Sequence, residues 1–116
     1  MSKPYVIAAH SIREYSNYYD YLVDRFENIN FGDNSPYYVQ GCTEAINLCL
    51  DYLHNNPNNL SGMMSFIKTR RSASSRRVKD AYMQGHLEGY LLVTDALNEA
   101  KMELLEETKK AIATLK

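Results

Sequence analysis

SSRRVKDAYMQGHLEGYLLVTDALNEAKMELLEETKKAIATLK, residues 74–116, is the stretch that decides the fold. It holds no proline and keeps apolar side chains at helical spacing almost throughout. The pattern predicts one helix of about 40 residues, about 60 Å long at the α-helical rise. A compact domain of this chain length is only about 35 Å across. A rod longer than its own globule either stands in water or lies along a partner, and the second case predicts a homo-oligomer. Met83, Leu87, Tyr90, Leu97, Leu104, Ala111 and Leu115 hold heptad spacing, with Thr94, Lys101 and Thr108 as polar interruptions. The expected seam between copies is Met83, Gly85, Leu87, Gly89, Tyr90, Leu97 and Leu104.

Gly85 and Gly89 stand four apart, the spacing that lets two helices approach closely. Each glycine costs roughly 1 kcal/mol against alanine in a helix interior, so a packing reason is expected. A close helix crossing is the first reading, and room for a ligand at the oligomer seam is the second. Between Leu87 and Leu97 the apolar surface widens, because Leu91, Leu92, Val93 and Ala96 fall on other faces. That section is expected to pack on the chain's own helices. Past Lys101 the stripe narrows to Leu104, Leu105, Ile112 and Leu115 among glutamates and lysines, as in a solvated tip or a two-chain coiled coil.

Working outward, three shorter helices are expected. Ser11-Ile12-Arg13-Glu14 has the form of a capping box. Ile12, Tyr15, Tyr19, Leu22, Phe26 and Ile29 follow at spacings of three and four, so helix one is predicted over 11–29. Ser35-Pro36 starts helix two, with Tyr38, Cys42, Ala45, Ile46, Cys49, Leu50 and Leu53 on its inner face. Pro57 among four asparagines forces a loop. Ser61 is the expected cap of a third helix, Gly62 to about Arg70, and the serines at 72, 74 and 75 are expected to separate it from the long one. Tyr5 to Ala9 suits a short strand, marginal without a partner. The fold class is therefore all-α: a single domain over 1–116, with a helical head over 1–72 and a long oligomerisation helix over 73–116.

Composition narrows the function classes. At 45% hydrophobic and 23% charged the chain is globular, not disordered. It has ten Tyr and no Trp, and asparagine is frequent. That usage accompanies AT-rich coding, and the helical pattern resembles many short proteins of phages and mobile elements. No motif is specific enough to carry a family's residues across. Cys42 and Cys49 lie two helical turns apart, too far to bond within one helix, and read as core thiols of a reduced, cytoplasmic protein. No apolar run is long enough for a membrane span. His10, His54 and His86 show no metal spacing, no phosphate loop or nucleophile elbow is legible, and neither a cofactor nor an enzymatic activity is expected.

The feature that points to a ligand is Lys68, Arg70, Arg71, Arg76, Arg77 and Lys79. These are six of the 13 basic residues, and they fall within twelve consecutive positions. The remainder holds 7 basic against 14 acidic residues, so the nearly neutral chain is strongly dipolar. Arginine forks bind phosphate bidentately. The leading expectation is a non-enzymatic oligomer holding a nucleotide-type ligand or a nucleic-acid backbone at this segment. Tyr15, Tyr18, Tyr19 or Tyr82 would supply a stacking or interface surface. The competing expectation is an inhibitor or adaptor, such as a phage-encoded inhibitor of a host protein, acting through its tyrosine-rich helical surface. The blandest is a solvated helix junction.

Overall fold

A computed structural model gives the fold over residues 3–6, 11–56, 59–75 and 80–115. Four α-helices follow one another: α1 (Tyr18–Glu27), α2 (Pro36–Asn55), α3 (Leu60–Ser75) and α4 (Ala81–Leu115). A single 3₁₀ turn at Ile12–Glu14 precedes them. The 35 residues of α4 measure about 52 Å. The whole molecule extends 55 × 28 × 22 Å, so α4 is its long axis.

Each helix starts where a short polar side chain supplies the acceptor that its first turn lacks. Asn17 accepts the Asp20 N–H at 2.8 Å, and Ser35 accepts that of Tyr38 at 3.2 Å with Pro36 behind it. Asn59 accepts from Gly62 at 2.9 Å, and Asp80 from Met83 at 2.9 Å.

Three boundaries differ from the sequence reading. The expected first helix is interrupted at residues 15–17, because the Ser11 box is answered from outside. The Glu103 carboxylate on α4 accepts from the Ser11 hydroxyl and, at 3.2 Å, from the Ile12 N–H. The third helix is capped by Asn59, two residues before Ser61, and it runs through the serines to Ser75. Serine's capping preference is weak against a helix already propagating on a packed face. Ile29 leaves the first helix and pairs with Val6, as Asn30 does with Tyr5, in a two-rung antiparallel ladder. The strand over Tyr5–Val6 thus has the partner that the sequence did not reveal, and the mostly helical fold carries this small β element.

The core sits where α2 meets α4. Tyr38 lies against Gly85 and Cys42 against Gly89, so the two helices run in the same direction. A Cβ on Gly41 or Gly85 would collide with the facing carbonyl of Tyr82 or Tyr38. The close helix crossing is therefore met within one chain. Leu22, Cys42, Cys49, Leu53, Met63, Tyr90, Val93 and Leu97 are fully enclosed around it. Ala100 is the last buried residue of α4; Glu103, Leu104 and Glu107 still meet the segment around Ile12 and Arg13, and from Thr108 on every described residue is exposed.

Candidate anion-binding groove

Helix α3 returns antiparallel to α4, its Leu60 end beside Lys101 and its Ser72 end beside Leu87. Between them lie two neighbouring recesses of about 560 Å³ and 310 Å³, both lined by Lys68. On α3, Ser61, Met64, Ser65, Lys68, Arg71 and Ser72 recur at three- and four-residue spacing, so one face of the helix lines the groove. On α4 the wall is Leu87, Leu91, Asn98 and Lys101. Among the described residues no acidic side chain lines either recess, while a neighbouring recess of about 610 Å³ that shares Asn98 with the first is lined by Asp95, Glu99, Glu103 and Glu106. Lys68, Arg71 and Lys101 are exposed and make no ion pair among the described residues. Three cations, hydroxyls and an amide over an apolar floor can take up an anion that carries an apolar body.

The basic segment is thus divided by helix geometry. Lys68 and Arg71 face the groove. Arg70 lies over the Phe66 ring, 5.3 Å from its centroid, and lines neither recess. Arg76, Arg77 and Lys79 lie outside the described residues. Lys101 joins the set from α4, and its one sequence signal was its place among the polar interruptions of the heptad, with Thr94 and Thr108.

The tyrosines do not line the groove. Tyr15 donates its hydroxyl to Asp24 and sets its ring edge-on to Tyr21 at 5.6 Å. That hydrogen bond, with burial, pushes its pKa up to about 12. Tyr18 and Tyr15 border a shallow cleft of about 280 Å³ closed by Leu104, and Tyr19 packs edge-on against His54. Tyr82 donates to Glu44. Of the expected seam, Gly85, Gly89, Tyr90 and Leu97 are enclosed by this chain, Met83 and Leu87 are half-buried, and Leu104 is 36% exposed.

Comparison with known proteins finds no matching family model, no matching curated protein and no matching solved structure.

Sequence reasoning missed a second polar cluster. His86 Nε2 stands 3.3 Å from the Glu44 carboxylate and 3.0 Å from the Tyr82 hydroxyl, beside the glycine crossing. The hydrogen bond from Tyr82, then that with His86, holds the Glu44 carboxyl below the usual range. Glu44 and His86 sit 42 positions apart, so no spacing rule joins them. The cluster ties α2 to α4. Among the described residues, no group of three or more His, Cys, Asp or Glu side chains is placed to hold a metal. Nor is any described helix long and apolar enough to cross a membrane. Burial pushes the Cys42 and Cys49 thiols up to about 12, far from a nucleophile's range.

Proposed function

We propose that this chain is a non-enzymatic binding protein that holds a phosphate-bearing ligand, of nucleotide or nucleic-acid-backbone type, along the groove between α3 and α4. The observation that carries the reading is that Lys68 lines two neighbouring recesses, with Lys101 in one and Arg71 in the other, and that neither is lined by an acid among the described residues. Cations held together with no ion pair among the described residues raise the local anion concentration, and hydroxyls beside them supply directed donors. Because no tyrosine reaches the groove, recognition rests on phosphate and on contact with Leu60, Met64, Leu87 and Leu91, not on base stacking. A reducing cytoplasmic setting belongs to this reading, since Cys42 and Cys49 are both free thiols.

Thermal melts with tripolyphosphate, ATP and a short single-stranded oligonucleotide test it. An upward shift in midpoint that fades with added salt and is lost in Lys68→Ala/Lys101→Ala supports the groove. No shift with any of the three rejects it.

A second reading, an inhibitor or adaptor that binds a host protein in the manner of phage-encoded regulators, is favoured by the cleft that Tyr15, Tyr18 and Leu104 form. A Tyr18→Ala variant that loses a protein partner while keeping its melting midpoint would select it.

A further inference from the structure

We infer that, among phosphate-bearing ligands, the α3–α4 groove prefers aliphatic phosphate monoesters, with the chain lying against Leu87 and Leu91 in the smaller recess. This rests on the phosphate-binding reading of the groove and names the other half of the ligand. The smaller recess, about 310 Å³, has two walls of different chemistry. Helix α3 supplies Lys68, Arg71 and Ser72, whereas α4 supplies Leu87 and Leu91 alone. Those leucines are four positions apart, so they sit one above the other on a single face of α4. Both are half-buried, and neither is among the enclosed core residues that include Tyr90 and Val93.

The polarity of the ligand follows from that of the walls. Two cations and a hydroxyl on one side suit a phosphate, which accepts charge-assisted hydrogen bonds from several donors at once. The leucine wall has no side-chain donor or acceptor. A nucleobase or a sugar set against it would leave polar groups desolvated and without partners. A run of methylenes leaves nothing unpaired and gains for each group withdrawn from water. A nucleotide is therefore held through its phosphates only. The volume stands at the small end of ligand pockets, about 300 Å³, which suits a short ester.

Titration calorimetry on the full chain with ethyl, butyl and hexyl phosphate, at one ionic strength, reads the chain directly. Full burial of a methylene is worth roughly fourfold in affinity, and contact with half-buried leucines about half of that factor. Hexyl phosphate should thus bind about fifteenfold more tightly than ethyl phosphate, and AMP no better than ethyl phosphate. Tripolyphosphate should displace hexyl phosphate, because both use Lys68 and Arg71. Leu91→Gln should flatten the rise with chain length, its unliganded melting midpoint reporting that the fold persists; the series on the parent chain decides the matter without it. Vesicles of phosphatidylcholine carrying phosphatidic acid present the same head from a bilayer. Displacement of hexyl phosphate by them, and not by phosphatidylcholine alone, assigns the source to a lipid headgroup; no displacement assigns it to a soluble ester. Equal affinity for ethyl and hexyl phosphate overturns the inference, as does hexyl phosphate that tripolyphosphate cannot displace, and in both cases tripolyphosphate binding leaves the phosphate reading standing. Only if tripolyphosphate and every monoester fail to bind do the two fall together.

Discussion

Gly89 of α4 faces Cys42 of α2 so closely that a Cβ at Gly89 would stand 2.6 Å from the Cys42 carbonyl oxygen and 2.7 Å from Ala45 Cβ. Backbone cannot step aside as a flexible side chain can. In an isolated helix Gly89→Ala would gain roughly 1 kcal/mol. Here overpacking outweighs that gain, and a net loss of about 2 kcal/mol is expected. Gly85→Ala, aimed at the Tyr38 carbonyl, should lose as much or more. Each kcal/mol lowers the midpoint by several degrees in a domain of this size, so calorimetry will resolve both. A midpoint that rises in either variant would show that the two helices are not in contact there.

The Glu103 carboxylate accepts from Ser11 and the Ile12 N–H, and those hydrogen bonds, with Arg13 adding to them, hold its pKa below the usual carboxylate value. The Glu44 carboxyl is depressed as well. A carboxylate whose folded pKa is lowered adds stability above its unfolded value of about 4.3, and that stability is lost as pH falls through the folded pKa. The unfolded chain binds more protons in this window, so stability rises with pH there. Glu103→Ala should cost about 1 kcal/mol at neutral pH, the usual worth of a cap. It should also flatten the acid limb of the stability–pH curve. An acid limb identical to that of the parent would exclude the contact.

Local signals in the sequence accounted for the four helices. Ser35-Pro36 and the three-four spacing of Cys42, Ala45, Ile46, Cys49 and Leu53 placed α2 and its buried face correctly. The errors came from partners distant in the chain. Ser11 looked like the start of a long helix because Glu14 stood three residues on, whereas the carboxylate that caps it is Glu103, 92 positions away. Ile29 read as the end of the first helix because Val6 was needed to make it a strand. The site divides the same way. Lys68 and Arg71 were visible as charge density, but their separation from Arg70 follows from the turn of α3, and Lys101 from the return of that helix along α4.

That separation of neighbouring cations gives a sharp contrast. Lys68→Ala and Arg71→Ala each remove a groove-facing cation, and the loss of a charge-assisted hydrogen bond should weaken tripolyphosphate binding about tenfold. Arg70→Ala removes as much charge one residue from Arg71, yet its guanidinium rests on Phe66 and lines neither recess. It should leave the affinity unchanged and act instead on the melting midpoint through lost stacking. Titration calorimetry on the three variants separates a groove from a diffuse cloud of charge. Equal losses in all three would mean that the groove does not choose among them.

Cys42 and Cys49 lie at the centre of the α2–α4 contact, both fully enclosed, with burial raising each thiol to about 12. A thiol reagent needs a thiolate and access to it, and the folded chain offers neither. Labelling by a disulfide reagent at neutral pH should therefore proceed only through opening of the helix pair, at a rate far below that of a free thiol. The two cysteines should react together, because they share one packed interface and become exposed in the same event. Gly89→Ala, which weakens that interface, should speed both reactions by about the factor by which it destabilises the fold, some thirtyfold for 2 kcal/mol. Fast labelling of one cysteine in the intact protein would place it outside the core and remove the glycine-mediated crossing as the element that organises this fold.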